Sequence, residues 1–243
     1  MGPEPRNPDG VTALAARHGL AEDASERLQT LLDLLVKDPH APTAITERAR
    51  ALDDHLADSL VALELPEVSG AGSLVDLGSG AGLPGLPLAI ALPRTRVAVV
   101  ESSSRKCAFI ERAARACGLE NVEVVHARAE AWPAGLGRFE VATARALASL
   151  EVVVEYAAPL LARGGTLVAW RGKREQEAEA SAAAAADAMG MAVGRVVPVR
   201  PYEGAQHRHL HLMSKVMDTP PRFPRRPGVA QKRPLSGLLG PAE

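Results

Sequence analysis

Glycine is concentrated in one short run, DLGSGAGLPGLP, which occupies residues 76–87. Such a density is typical of backbone that turns tightly or that lets a small molecule approach closely. The spacing fits two kinds of ligand. Gly78, Gly80 and Gly82 match the pattern of S-adenosylmethionine sites. Gly80, Gly82 and Gly85 match the dinucleotide fingerprint instead. A tight turn that binds nothing is the third alternative, so the glycines alone leave the chemistry open.

Asp76 and the end of the run favour one of the two ligands. Asp76 stands two residues before Gly78, at the end of a predicted strand. A carboxylate aimed at this turn would repel a diphosphate and attract the ammonium and sulfonium groups of S-adenosylmethionine. Counted from Gly78, the final glycine of the diphosphate pattern is replaced by Leu83. We therefore expect S-adenosylmethionine as the cofactor. The predicted contacts in this run are Asp76, Gly78, Gly80 and Gly82.

Two further candidate positions follow the next two predicted strands. Glu101 ends the second strand, where a carboxylate can accept hydrogen bonds from both ribose hydroxyls of a nucleoside. This suits either cofactor, and an exposed acid at a strand end is the alternative. Ala129 and Glu130 follow the third strand and offer a backbone N–H and an acid that could read an adenine edge. Without the glycines upstream, the same stretch is an ordinary polar loop.

The elements that position these residues alternate between strands and helices. Strands are predicted at 73–78, 96–102, 122–128, 139–146, 166–172, 192–201 and 207–215. Helices are predicted between them at 84–92, 104–118, 149–165 and 175–190. Alternation of this kind predicts a parallel sheet with helices on both faces. The last two strands have no helix between them and predict an antiparallel hairpin at one edge. The fold class is therefore α/β, a Rossmann-like S-adenosylmethionine-dependent methyltransferase fold with a mostly parallel seven-stranded sheet.

Two more predicted helices, 21–38 and 45–66, precede the first strand. In the first of them, apolar residues recur at the i, i+3, i+4, i+7 positions of an amphipathic helix. We therefore expect four units along the chain. They are a disordered or loosely ordered N-terminus at 1–20, a helical extension at 21–66, the methyltransferase domain at 67–216 and a basic C-terminal tail at 217–243.

Charge is distributed unevenly along the chain. The formal net charge of the 243 residues is only −1, which by itself argues against a nucleic-acid-binding protein. Residues 214–243, however, contain six basic and two acidic side chains. This asymmetry indicates a tail with an anionic partner. A tail that serves only solubility is equally compatible with the charge.

Cysteine usage and hydropathy indicate the compartment. Cys107 and Cys117 fall on one predicted helix, where a rise of about 1.5 Å per residue separates them by about 15 Å. That distance excludes a disulfide, so two free thiols in a reducing cytoplasm are expected. Neither cysteine has a histidine or second cysteine at ligand spacing, so no metal site is expected. The polar start MGPEPRNPDG is unlike a signal peptide, and no apolar run is long enough to span a bilayer.

The motifs together resemble one known family. The segments HLADSLVAL, VDLGSGAGLPGLPLAI, ATARALASL, WRGK, HRHL and TPPRFPRRPGVAQKRPL occur in the order typical of the bacterial 16S ribosomal RNA guanine-N7 methyltransferases, RsmG or GidB. The resemblance covers residues 28–235, nearly the whole chain. It implies methylation of N7 of a specific guanine in the decoding-region loop of the small subunit, with S-adenosylmethionine as the cofactor. The implied partner is 16S ribosomal RNA or a precursor of the small subunit, and a monomer is favoured.

The resemblance also implies roles for individual residues near the cofactor. Gly78 and Leu83 match positions that line the cofactor, Ala129 and Glu130 the adenine-side loop, and Glu101 the ribose-binding acid. Arg145 matches an arginine near both cofactor and substrate, although a strand-end arginine in a salt bridge is the alternative. His55, Asp58 and Ser59 match an element that covers the pocket. Six residues are expected to contact RNA: Arg145, Lys173, Arg208, Arg225, Arg226 and Lys232.

The chemistry of guanine N7 sets what the protein has to supply. N7 carries a free lone pair and no proton, so its methylation needs no general base, and no catalytic residue is predicted. The requirement is for placement of N7 behind the methyl group. Two alternatives are kept: a methyltransferase acting on another RNA or on a small molecule, and a nicotinamide-dependent oxidoreductase.

Overall fold

The computed structural model describes residues 10–235. Within them, seven strands form one sheet in the order β3-β2-β1-β4-β5-β7-β6. The strands are β1 Ser73–Leu77, β2 Arg96–Glu101, β3 Val122–His126, β4 Phe139–Arg145, β5 Leu161–Arg171, β6 Met191–Pro198 and β7 His209–Lys215. The first five strands run parallel to one another, and β7 runs antiparallel to both β5 and β6. The predicted fold class, including the closing hairpin, is confirmed.

Helices cover both faces of the sheet. The longer helices are α1 Gly10–Arg17, α2 Glu22–Lys37, α6 Gly85–Ala91, α7 Ser104–Ala116, α8 Leu150–Ala157 and α9 Gln176–Ala188. Neighbouring residues of β1 point to opposite faces. Leu74 packs in the core beneath the N-terminal helices, α6 and α7, whereas Val75 packs in the core beneath α8 and α9. Every residue of β1 is buried, as expected for a parallel strand covered on both sides.

The N-terminal segment differs from the expectation of a loosely ordered stretch at 1–20. Helix α1 begins at Gly10, and it buries Val11, Leu14 and Ala15, which are spaced to share one face. Arg17 ties the end of this helix to the far hairpin by donating to the backbone oxygen of Pro201 (2.6 Å). The expectation is therefore wrong for the residues from 10 onward, while residues 1–9 lie outside the described part.

The second helix of the extension is predicted as one element but is built from several. It consists of α3 Arg48–Ala51, a π-helical turn at Leu52–Ala57, α4 Asp58–Leu60 and a 3₁₀ turn at Val61–Glu64, and the short helix α5 Pro66–Ser69 follows it. Glu47 caps its start by accepting from the N–H groups of Ala49 and Arg50. A π turn inside a helix is uncommon and is frequent at functional sites. Here it contains His55 and directly precedes Asp58.

The helix predicted at 149–165 is shorter than expected. Helix α8 ends at Ala157, and β5 already begins at Leu161, because Pro159 has no N–H with which to continue the helix. Gly165 is required by close backbone packing, since a Cβ there would lie 2.9 Å from the carbonyl oxygens of Ala162 and Phe139. The early start extends β5 to eleven residues.

The C-terminal segment packs against the body of the protein as far as residue 235. Phe223, Ala230 and Leu235 are buried in the core beneath α8 and α9. Ala230 belongs to a short helix, α10 Val229–Lys232. The predicted basic tail is therefore docked over most of its length, and its last eight residues, 236–243, lie outside the described part.

Candidate active site

A crevice opens at the carboxyl edge of the sheet, between β1 and β4. The chain places β2 and β3 on one side of β1 and places β4 on the other, so this is the point where the strand order reverses. Ligands of open α/β sheets bind at such a point. Gly78 follows β1, and a Cβ on it would collide with Leu147, which follows β4. Glycine is favoured here because φ at Gly78 is 61° and because an added Cβ would displace the end of the Leu147 side chain.

The glycine run adopts a conformation that only one of the two predicted patterns explains. Gly78, Gly80 and Gly82 have φ angles of 61°, 63° and 83°, in the left-handed region that favours glycine. A Cβ on Gly80 would meet nothing within 4 Å, so its backbone faces open space at the crevice. Gly85 instead lies in α6, where a Cβ would sit 2.9 Å from Asp76 Oδ2. The alternate-glycine pattern is thus the one that shapes the turn.

Asp76 holds this turn from inside the protein. Its side chain is fully buried and accepts hydrogen bonds from Thr143 Oγ1 (2.9 Å), the Gly85 N–H (3.0 Å) and Ser79 Oγ. Burial raises the pKa of Asp76 to about 6, although the three donors favour the charged form. The expectation that this carboxylate faces the cofactor is therefore wrong. Its oxygens are used to fix the loop to β4 and to the first residue of α6.

Glu101 lies at the end of β2 beside the open face of the glycine turn. It accepts from the Gly80 N–H (3.1 Å) and from the Ser103 N–H (2.8 Å), and it is only 5% exposed. The ammonium of Lys106 is 3.9 Å from it. A carboxylate held by backbone donors at this edge, one strand away from the glycine turn, has the position of a ribose-binding acid.

A small cavity of about 100 Å³ adjoins the glycine turn. Gly78 and Leu147 bound one side, and the predicted adenine-side residues Ala129 and Glu130 bound another. Leu83 is 7% exposed and packs in the core beneath the N-terminal helices, and its contact with the cofactor stays a prediction. The structure thus brings most of the predicted cofactor residues together around one crevice.

A larger cleft of about 540 Å³ lies at the carboxyl ends of β4 and β5. Arg145 and Ala146 line this cleft, and the next residue, Leu147, lines the smaller cavity, so one three-residue turn separates the two. Ala146 has a φ of 53°, which is uncommon for a residue with a side chain. Backbone strain of this kind clusters at ligand sites, where the surrounding structure holds it in place.

A network of charged groups closes one wall of the cleft. Arg145 Nη1 donates to Asp58 Oδ2 (2.7 Å) and to the backbone oxygen of Asp54 (3.0 Å). Trp170 Nε1 donates to the backbone oxygen of Asp58 (2.7 Å). Arg208 stands on the other side of Asp58, with its Nε 3.6 Å from Asp58 Oδ1. The π-helical turn is thereby fastened to the ends of β4 and β5.

The family is decided by comparison with known proteins. A family model described as rRNA small subunit methyltransferase G, GidB, matches residues 25–210. The chain belongs to this family. A relative from Rubrobacter xylanophilus, "Ribosomal RNA small subunit methyltransferase G", is 40% identical and covers 79% of this chain and 76% of its own length. A relative of the same name from Chloroflexus aggregans is 38% identical over 89% of this chain and 92% of its own length. The resemblance predicted from the motifs is confirmed.

Solved structures support the fold of this GidB-family chain. The mitomycin 7-O-methyltransferase MmcR superposes with a TM-score of 0.55 at 16% identity, covering 86% of this chain and 73% of its own. A variant of the 16S rRNA (adenine(1408)-N(1))-methyltransferase from Catenulisporales acidiphilia superposes with a TM-score of 0.51 at 21% identity, covering 63% of this chain and 89% of its own. At such low identity these similarities concern the fold alone.

The element that the resemblance predicts to cover the pocket is buried in this chain. His55, Asp58 and Ser59 are 8%, 6% and 0% exposed. The His55 ring shares a hydrogen bond with Thr43 Oγ1 (2.8 Å), and Ser59 Oγ donates to the backbone oxygen of His55 (2.5 Å). Burial, followed by the charge of Arg145, lowers the pKa of His55 and favours its neutral form. The element therefore acts as a packed wall of the cleft.

The basic residues predicted from the GidB resemblance fall on two surfaces. Lys173 and Arg208 line the large cleft, whereas Arg226 and Lys232 are exposed on the C-terminal segment. Arg225 does not join them. Its guanidinium forms two hydrogen bonds, of 2.6 and 2.5 Å, with Glu155, which is 3% exposed. The expectation that Arg225 contacts RNA is corrected, because its guanidinium is paired with a buried carboxylate.

Sequence reasoning missed several residues of the large cleft. Arg171 ends β5, Arg174 follows Lys173 in the loop after it, and His209 and His211 lie two apart on β7. The alternation in HRHLHL places both histidines on one face of the strand, and this pattern could have predicted them as a pair of candidate site residues. The run WRGKRE likewise contains three cations, of which only one was predicted. Their convergence depends on the pairing of β5 with β7.

Other expectations concern residues away from the crevice. Cys107 and Cys117 are both buried free thiols, as predicted. Burial raises the pKa of the Cys117 thiol to about 11. Among residues 10–235, none of the helices is long and apolar enough to cross a membrane.

Proposed function

We propose that this chain is an S-adenosylmethionine-dependent methyltransferase that modifies N7 of a guanine in the 16S ribosomal RNA of the small subunit. Family membership and relatives named for methylation of small-subunit ribosomal RNA support the proposal. The observation that carries it is the turn Arg145–Leu147, which has the glycine crevice on one side and the large cleft on the other. A methyl donor in the crevice and an acceptor base in the large cleft would therefore be separated only by this three-residue turn.

The crevice fits the proposed cofactor. The backbone at Gly80 is open to a ligand, and Glu101 is placed to accept from ribose hydroxyls. Ala129 and Glu130 border the side expected to hold the adenine. When bound, S-adenosylmethionine supplies an activated methyl group that passes to the lone pair of N7. Asp76 would act indirectly, by keeping the glycine turn in its left-handed conformation.

The large cleft is our candidate site for the target nucleotide. Its volume of about 540 Å³ lies within the roughly 300–1,000 Å³ range of ligand pockets. A base must leave its stack before an enzyme can modify it, and a cleft of this size can hold an extruded nucleotide. Arg171, Lys173 and Arg174 at its rim can contact phosphates, which position RNA without reading its sequence.

The chain's own residues provide orientation and shelter from water. The acceptor nitrogen carries no proton, so none of the buried groups has to remove one. Asp58 keeps Arg145 in place through the 2.7 Å ion pair, and Arg145 can hold a phosphate or the face of the guanine at the edge of the crevice. Since small ribosomal subunits are assembled in the cytoplasm, the proposal also places the protein there.

Transfer of labelled methyl groups tests the proposal. The purified protein is mixed with radiolabelled S-adenosylmethionine and one of three acceptors: small ribosomal subunits, protein-free 16S ribosomal RNA, or transfer RNA. We expect label in at least one of the ribosomal acceptors and none in transfer RNA. Labelling of transfer RNA alone would favour the alternative of another RNA substrate.

Calorimetry tests the cofactor separately. S-adenosylhomocysteine should bind and NAD should not, whereas binding of NAD alone would restore the oxidoreductase alternative. Glu101→Gln should weaken S-adenosylhomocysteine binding, because the amide cannot accept with both of its polar atoms. Glu111→Gln is the matched control, since Glu111 is an exposed acid on the outer side of α7.

A further inference from the structure

The C-terminal strap, residues 222–235, forms part of the wall of the small cavity. Three apolar residues seat it on the body of the protein: Phe223, Ala230 and Leu235 are 8%, 3% and 6% exposed. They join the same core as α8, whose first residues follow the turn between the two cavities. The strap therefore has a defined place beside the crevice.

A buried ion pair fastens the strap at its first half. Arg225 binds Glu155 of α8 through Nε and Nη2, and Nη2 also donates to the backbone oxygen of Arg233 (2.9 Å). One guanidinium thus joins the strap to α8 and also joins the two halves of the strap to each other. Bidentate pairs of this kind are geometrically specific.

A second anchor connects the strap to the predicted adenine-side loop. The Gly228 N–H donates to Glu130 Oε1 (3.0 Å), and Gly228 has a φ of 79°, which turns the chain into α10. The carboxylate that the sequence predicts as a reader of the adenine edge is thus engaged with the strap. Three residues further on, Gln231 lines the small cavity together with Gly78 and Ala129.

A glutamine amide at this position has the hydrogen-bonding groups that an adenine edge requires. It offers one donor and one acceptor side by side, and adenine presents an amine next to a ring nitrogen, so the two can form a bidentate pair. We propose that Gln231 reads the adenine of the cofactor and that Glu130 is a positioning residue that holds the strap in place. The inference rests on the proposed function, since it assumes that the crevice binds S-adenosylmethionine.

Calorimetry with two ligands tests the proposal on the full chain. S-adenosylhomocysteine is compared with its purine analogue, in which a hydrogen replaces the adenine amine. Gln231→Ala should weaken binding of S-adenosylhomocysteine by about tenfold, the lower range for a bidentate pair. It should change binding of the purine analogue by about threefold or less, because that ligand has no amine to donate to the glutamine oxygen and keeps only one of the two hydrogen bonds. Gln176→Ala, an exposed glutamine at the start of α9, is the matched control and should bind both ligands as the wild type does.

The outcomes separate this proposal from the proposed function. Absence of S-adenosylhomocysteine binding to the wild type would overturn both. Wild-type binding that Gln231→Ala leaves unchanged, or an equal loss for both ligands, would overturn only the role of Gln231. For Glu130, hydrogen exchange of the Gly228 amide is the readout: Glu130→Ala should accelerate it, and Glu130→Gln, which keeps an acceptor oxygen, should restore protection. Equal protection in both variants would overturn the positioning role.

Discussion

Replacing Arg225 with leucine should destabilise the protein far more than replacing a neighbouring basic residue. The guanidinium makes two hydrogen bonds to Glu155 and one to the backbone of Arg233. The Glu155 side chain is 3% exposed and that of Arg225 is 16% exposed. Leucine fills part of the space but leaves a buried carboxylate without its partner. Removing the Arg225 charge should therefore lower the free energy of unfolding by more than the removal of an exposed charge does.

The size of the effect follows from this burial. Removing one member of a buried ion pair costs about 3–5 kcal/mol of the free energy of unfolding. We expect the lower end, about 3 kcal/mol, because the arginine retains some exposure. For a chain of this length, each kcal/mol lowers the melting temperature by about 2–4 °C. Arg225→Leu should therefore lower it by about 6–12 °C.

Chemical denaturation and thermal melting measure this directly. Arg226→Leu, one residue further along the strap, is the matched control and should change stability by less than about 0.5 kcal/mol. Leucine at both Arg225 and Glu155 should recover much of the loss, since no charge then stays buried alone. A loss below about 0.5 kcal/mol for Arg225→Leu, equal to the control, would refute the account of a docked strap.

Three further changes test other parts of the site. Burial raises the pKa of Asp76 to about 6, so the stability that its protonated form contributes is present below its unfolded pKa near 4 and is lost as pH rises through 6. The difference in unfolding free energy between wild type and Asp76→Asn should therefore change over pH 4–6, by up to about 3 kcal/mol. A difference that stays constant over this range would contradict the raised pKa. Gly78→Ala should abolish S-adenosylhomocysteine binding in calorimetry, because the methyl group collides with Leu147 at a φ of 61°, and normal affinity would contradict the geometry of the turn. Arg226→Ala should reduce the slope of log affinity for RNA against log salt by about 1 if it contacts a phosphate, whereas Arg115→Ala on α7 should leave the slope unchanged.

Local pattern was sufficient for most of the fold. In the sequence, the strand of residues 73–77 stands out as an apolar run that glycine ends. The helix of residues 104–116 stands out by the helical spacing of its apolar residues and by the glycine that follows it. The glycine turn could be predicted because backbone with a positive φ favours glycine, and glycine is read directly from the sequence. The start of β5 was missed, since the apolar stretch around Leu161 fits a helix equally well and only pairing with Phe139 decides it.

The candidate site was predictable in position but less so in contacts. Asp76 was assigned by its charge and Arg225 by the family resemblance, yet each side chain turns inward to partners distant in sequence, Thr143 and Glu155. A sequence shows that a charge exists but not which buried group neutralises it. Helix α1 was missed for a related reason: so short a helix is stable only when the rest of the core covers its three buried residues, of which Val11 is the first.

The most direct test of the central claim is the identity of the methylated nucleoside. Small ribosomal subunits are labelled by the purified protein, digested to nucleosides and separated by chromatography. The account predicts that the label elutes as 7-methylguanosine, and that Glu101→Gln strongly reduces it while Glu111→Gln does not. Label in any other nucleoside, or 7-methylguanosine formed equally well by Glu101→Gln, would contradict the assignment of the crevice and of its substrate.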